Sequence, residues 1–179
     1  MTEELVLTPE KRKEVLKARA KALARRPQAE ESGIERIEIV EFLLANERYG
    51  IESSFIAEVQ PLKEFTPLPC TPPFVLGLIN VRGNVLSVID LRKFFDLPHK
   101  GLTDLTKVIV IHDEKMEFGI LADAVMGSRR IPVSEIQPPL PTLTDIHVDY
   151  LKGVTGERLV VLDGGKILSD GKIVVHEEV

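Results

Sequence analysis

The chain repeats itself, and the repeat limits its fold more than any other feature. Phe74-Val75-Leu76-Gly77-Leu78 leads into Val85-Leu86-Ser87-Val88-Ile89-Asp90. Tyr150-Leu151-Lys152-Gly153-Val154 leads in the same way into Leu159-Val160-Val161-Leu162-Asp163. The glycines of the two copies lie 76 residues apart and the aspartates 73. The second copy is therefore three residues shorter, and the missing residues fall in the turn that holds Asn80 to Gly83. Tyr49-Gly50-Ile51 and Phe118-Gly119-Ile120 form a second matching pair. A match across strand, turn, strand and cap predicts two related halves, near 37–98 and 105–170.

Each copy reads as two short strands joined by a tight turn. In the first, Gly83 takes a positive φ at little cost and Asn84 tolerates one, which places Arg82 at the tip. After Asp90 the period changes. Leu91, Phe94 and Phe95 fall at helical spacing, so a short helix starts there with Asp90 as its cap. Chemistry alone leaves Arg82 either a solvated turn residue or a presented binding group.

The rest of the body, from about Ile37, is short apolar runs between turn signals. Ile37 to Leu44 is strand-like, Asn46-Glu47-Arg48 turns, and Tyr49 to Ile51 resumes. Ser53-Ser54 is expected to cap a short helical stretch from Phe55 to Val59. Lys107 to Ile111 and Met116 to Leu121 flank another turn, and a last hairpin turns around Gly156-Glu157. Such spacing predicts small barrels or a sandwich. Crossover helices long enough for a parallel sheet are missing. Duplicated barrels packed together leave a groove suited to a docked peptide or helix. Ile136 to Pro141 reads as a rigid connector.

Residues 1–36 differ in character. Thr8 and Pro9 start a helix that runs through the Ala-, Lys-, Arg- and Glu-rich segment to Arg26. Between Glu10 and Arg26, eight Lys and Arg face two Glu, a surplus of six positive charges. A net charge of −5 for the whole chain then leaves −11 elsewhere. This asymmetry fits an anionic partner or a solvated helix with one weakly docked face. An anion- or nucleic-acid-binding role would rest on this helix alone, because the acidic body offers no basic face.

The residues offer no catalytic set. His99, His112, His147 and His176 are scattered without metal spacing. Cys70 is the single cysteine and lies in a proline-rich loop without a histidine motif, so it forms no internal disulfide and is a weak nucleophile candidate. Gly164-Gly165-Lys166 is too short for a phosphate loop. No cofactor or metal is expected. Trp is absent and aromatics are 5% of the chain, which argues against base stacking. No apolar run reaches the roughly 18 residues of a membrane span, and the acidic start lacks the order of a signal peptide. A cytoplasmic, non-enzymatic binding module is the expectation, and a small enzyme using Cys70 or a histidine is its rival.

The stretch Pro67 to Phe95 resembles the CheW family of chemotaxis coupling proteins. Gly77-x-Ile79-Asn80-x-Arg82-Gly83 followed by Asp90-Leu91-Arg92 carries the likeness, with Pro69, Pro72 or Pro73, Phe74, Val75 and Val88 beside it. It extends over about Ile37 to Ser169. The resemblance implies a mainly β fold of two pseudo-duplicated, five-stranded SH3-like barrels packed together, with short helices, over residues 37–179. It implies a scaffold that bridges the helical cytoplasmic tip of a methyl-accepting chemoreceptor to the regulatory domain of a CheA-type histidine kinase. It also implies self-association in rings and a place at receptor arrays on the inner face of the membrane. Nucleic acid and direct membrane insertion are not expected. The partner-binding residues carried over are Ile56, Glu58, Val59, Gly77, Asn80, Arg82 and Gly83, with catalytic residues none. The family's usual proline before the Val-Ile-Asp run is Ser87 here, and the extension 1–36 has no counterpart in the minimal pattern. An adaptor for a twitching or other non-flagellar pathway is the alternative output.

Overall fold

A computed structural model describes residues 33–98, 101–139 and 146–173. The basic helix expected within 1–36, the end of the connector near Pro141, and His99 and His176 lie outside the described residues. The chain divides into two compact units, Met1–Ile34 and Glu35–Val179. The second contains every element described below.

Its strands are β1 Arg36–Leu44, β2 Glu47–Glu52, β3 Ile56–Pro61, β4 Val75–Val81, β5 Asn84–Ile89, β6 Lys107–His112, β7 Glu117–Ala122, β8 Ala124–Pro132, β9 Leu151–Val154 and β10 Val160–Leu162. Helix α1, Leu91–Phe94, follows β5, and helix α2, Gly164–Ser169, follows β10. Two five-stranded sheets result, ordered β8-β1-β2-β10-β9 and β3-β6-β7-β5-β4. Advancing every label of the second sheet by five, and counting round from β10 to β1, gives the first. The duplication is thus written into the topology.

Each sheet nevertheless draws strands from both stretches, 37–98 and 105–170. The halves expected near 37–98 and 105–170 are thus not themselves the two barrels: a barrel takes the first two strands of one half and the last three of the other. The joins are parallel pairs, β2 with β10 and β5 with β7. They fall on Tyr49-Gly50-Ile51 and Gly119-Ile120, the second match seen in the sequence. Parallel pairing needs no crossover helix here because the paired strands come from different halves.

Each sheet closes through one isolated bridge, from the segment that follows one outer strand to the other outer strand. Thr66 pairs with Leu78 in one and Gln137 with Val154 in the other. Both closures run past a repeat glycine. A Cβ on Gly77 would stand 2.3 Å from the Thr66 carbonyl oxygen, and one on Gly153 would stand 2.4 Å from that of Gln137. The repeated glycine is therefore a packing requirement of closure.

Strand alternation sorts the core into three layers. Val108 and Val110 of β6 face the interior of the second barrel with Ile79, Val81, Leu86, Val88 and Leu121. Ile109 and Ile111 face the other way, into a larger layer between the sheets with Phe42, Ile51, Ile120 and Leu162. Ile39, Ile131, Leu159 and Val161 fill the first barrel. β6 is apolar on both faces because both are buried.

Two local expectations change. Phe55 to Val59 is not helical. Ser53–Phe55 makes a single 3-10 turn and Ile56–Pro61 is a strand paired with β6. The apolar spacing at 55, 56 and 59 fits a helical period, and pairing with β6 overrides it. The β1–β2 turn sits at Ala45 and Asn46, φ 53° and 69°, one residue earlier than the sequence suggested.

Candidate partner interface

The hairpin β4–β5 carries the most exposed of the expected binding residues. Arg82 and Gly83 form its two-residue turn with φ of 52° and 94°. Both values are positive, the type I′ geometry that matches the twist of paired strands. The Asn80 side-chain oxygen accepts from the Gly83 N–H at 2.9 Å and fixes the turn. Arg82 is thereby held in a conformation that a non-glycine residue rarely takes. Its side chain is 83% exposed, and its Nη2 lies 2.6 Å from Oε2 of Glu58, which is only 20% exposed.

Glu58 belongs to β3 and Arg82 to the tip of β4, the two outer strands of that sheet. Their ion pair spans the seam where the barrel closes. An exposed pair of this kind contributes about 0–1 kcal/mol to folding. Its larger effect is to aim the guanidinium. Val59 and Val85 are exposed large apolar residues on the same two strand pairs. Ile56, by contrast, is half-buried against the layer between the sheets. Gly77 is buried and stands at the closing bridge, so it offers a partner no surface of its own. Of the seven expected residues, the structure links Glu58 to Arg82 and Asn80 to Gly83 directly. Val59 follows Glu58 on β3, and Ile56 and Gly77 support the frame.

Sequence reasoning missed the neighbourhood of the seam. A groove of about 660 Å³ is lined by Lys63, Glu64, Phe65, Ile79, Asn80 and Val85, among others. Residues 62–65 carry no periodic pattern that marks them in the sequence. The signal that could have found them is the length of β4, which outruns the equivalent β9 by three residues.

The opposite barrel carries a related pair with its charges reversed. Here the β9–β10 turn presents an acid, Glu157, and both Nη atoms of Arg129 on β8 lie 3.0 Å from its Oε2. Arg48 extends the group to Glu41, a buried carboxylate of β1, at 2.5 Å. The Arg129 hydrogen bonds hold the Glu157 carboxyl below its ordinary range. The hydrogen bond from Arg48 to Glu41 likewise pushes the arginine up.

Beneath the hairpin, Asp90 caps α1 by accepting from the Arg92 N–H, and Arg92 returns a bidentate pair to it at 2.8 and 2.9 Å. The same guanidinium reaches Asp123, whose other oxygen accepts from the Ala45 N–H at 2.8 Å. Asp123 lies between β7 and β8, where the chain crosses from one sheet to the other. Arg92 thus ties the hairpin base to the first barrel. Among the described residues no group of three or more His, Cys, Asp or Glu is arranged to hold a metal ion.

The family model described as the CheW-like domain matches residues 38–172. Protein FrzA of Myxococcus xanthus is 35% identical over 136 residues, which cover 73% of this chain and 84% of that protein. Chemotaxis protein CheW of Klebsiella aerogenes is 30% identical over 145 residues, 79% of this chain and 87% of the relative. The crystal structure of scaffolding protein TtCheW from Thermoanaerobacter tengcongensis superposes with a TM-score of 0.68 at 28% identity. That match covers 77% of this chain and 96% of the other.

Proposed function

The chain belongs to the CheW-like family, and we propose that it is a non-enzymatic scaffold coupling chemoreceptors to a CheA-type histidine kinase. Residues 37–179 form the coupling body in this reading, and 1–36 is an accessory extension. The kinase's regulatory domain meets the barrel end that carries Glu58, Val59, Asn80, Arg82 and Gly83, with Ile56 and Gly77 holding that end in shape. The groove between barrels takes the receptor tip. Self-association in rings and work in the cytoplasm, at arrays under the membrane, belong to the same proposal. No described helix is long and apolar enough to cross a membrane.

One observation carries the reading. The duplicated frame is alike in both halves, yet β4 has seven residues against four in β9. The extra length lifts a constrained, exposed arginine clear of the barrel. Arginine is enriched at interface hot spots. Arg82→Ala is expected to weaken capture of the kinase or the receptor by about 2 kcal/mol, roughly thirtyfold. The melting temperature should stay nearly unchanged. Unaltered capture by the variant would remove Arg82 from the interface. A pathway with a non-flagellar output is the second reading, favoured by the match to FrzA. The kinase that copurifies with the chain decides between them.

A further inference from the structure

The barrel that carries Arg82 is incompletely closed, and the open part has the geometry of a strand site. Val81 and Asn84 flank the two-residue turn and form a hydrogen-bonded pair. Pairs alternate along an antiparallel ladder, so Asn80↔Val85 and Leu78↔Ser87 are the non-bonded kind. The main-chain groups of Leu78 and Asn80 therefore point away from β5. Those of Leu78 are used: it exchanges both hydrogen bonds with Thr66 at 2.8 Å. Continuing that register, Glu64 is the residue due to pair with Asn80. It does not. The groove of about 660 Å³ lies between them instead. Among the described residues, Glu64 makes no main-chain hydrogen bond outside the strands, and the register leaves the main-chain N–H and C=O of Asn80 without a partner on β5.

We propose that this gap accepts an extended segment of the partner kinase, added as a strand against the outward edge of β4. The inference rests on the reading of the chain as a kinase-coupling scaffold. Strand addition supplies affinity through main-chain hydrogen bonds and specificity through alternate side chains. A helical receptor tip cannot fill the role, because its main-chain groups are bonded within the helix. The occupant presents an apolar side chain inward, toward Ile79 and the half-buried Phe65, which both pack in the barrel interior.

The first barrel has no such gap. Gln137 and Val154 exchange the equivalent pair of bonds, but β9 ends at Val154, and the Thr155 N–H turns in to the Leu159 carbonyl at 3.0 Å. The gap exists only where the hairpin is long.

Amide exchange at Glu64 and Asn80, followed by NMR on the full chain alone and bound to the kinase regulatory domain, tests the proposal together with two variants. Binding is expected to slow exchange at both amides at least tenfold. Glu64→Pro deletes the N–H that faces the gap and should weaken kinase capture about tenfold with an unchanged melting temperature. Glu64→Ala keeps the N–H and should bind as the parent does. Three outcomes overturn the strand site while leaving the scaffold reading intact. They are a bound kinase with both amides exchanging at the free rate, full-strength binding by Glu64→Pro, and equal losses in both variants. Failure of the unsubstituted chain to capture the kinase overturns the scaffold reading, and this inference with it.

Discussion

Replacing Arg92 with methionine isolates the tie between the two barrels. Methionine is unbranched and flexible enough to occupy the arginine's path. The substitution leaves Asp90, whose side chain is 3% exposed, facing an apolar group instead of a cation. Asp123 also loses its guanidinium, but at 32% exposure it regains solvent. The cost therefore falls on Asp90. Removing one partner of a buried pair costs about 3–5 kcal/mol, because the remaining charge is stranded. In a body of this size each kcal/mol corresponds to a shift of roughly 2–4 °C, so melting should fall by about 6–20 °C. Adding Asp90→Asn to Arg92→Met should recover much of the loss. Asparagine caps a helix as well as aspartate does and brings no charge.

The repeat supplies the reason to expect that rescue. The position equivalent to Arg92 in the second half is Gly165, and the one equivalent to Asp123 is Ser54, the neighbour of Phe55. There the ion pair is replaced by a ring lying against glycine: Phe55 atoms come within 4 Å of the Cβ positions of Gly164 and Gly165. The frame thus accepts an apolar solution at this place. Thermal melts of the single and double variants at neutral pH decide the matter. An Arg92→Met protein that melts within 1 °C of the parent would refute the argument that a buried charge is being held.

Two further perturbations separate frame from tip. Gly77→Ala places a Cβ against the Thr66 main chain at a φ of +148° and should cost about 2 kcal/mol or more, from strain plus a disturbed closure. Gly83→Ala, with nothing within 4 Å of its Cβ, should cost about 1 kcal/mol from its φ alone, and chemical denaturation of both variants gives the comparison. Tyr150 donates to Asp170 at 2.5 Å, which holds that carboxyl below its ordinary value, with help from the Lys172 N–H. Stability from this pair is present above about pH 4, the unfolded aspartate range, and is lost as the pH falls through the lower folded value. Tyr150→Phe should therefore flatten the acid limb of the stability curve and remove about 1 kcal/mol at neutral pH, read from melts between pH 2 and 7.

The tip, its cap and the repeat were legible because each depends on local chemistry. Gly83 beside Arg82 marks a tight turn, although the second positive φ falls on Arg82 and Asn84 already belongs to β5, and Asp90 before Leu91 specifies a cap. What local pattern could not supply was partnership across the chain. Strand β8, Ala124–Pro132, was not foreseen because Gly127 and the paired arginines hide its alternation. It forms because β1 offers it an edge, with a bulge at Met126–Gly127 absorbing the mismatch. Ile56 to Val59 took a strand for the same reason, with β6 as its template. The exchange of strands between halves was equally invisible, since two tandem barrels and two exchanged ones share one sequence pattern. Of the candidate interface, Arg82 and Asn80 could be read from the turn. Glu58 entered by resemblance, and Lys63 to Phe65 carried no signal.

The exchanged topology has a consequence for how such a chain can diverge. Each barrel depends on both halves, and the layer between them draws side chains from both sheets. Any change that moved one barrel against the other would disturb that layer, so the frame is conservative by construction. Hairpin tips are not bound this way. They project beyond the closing bridges, where Arg82 faces one seam and Glu157 the other, and their charges have become opposite without altering the closures beneath. The length of β4 follows the same logic. Three residues added beyond the Thr66–Leu78 bridge extend the barrel interior by Ile79 and Val81, and they also create an outward strand edge, a constrained arginine and the groove between them. New surface chemistry is cheapest where the duplicated frame has already ended, and in this chain the features that distinguish the two halves gather there.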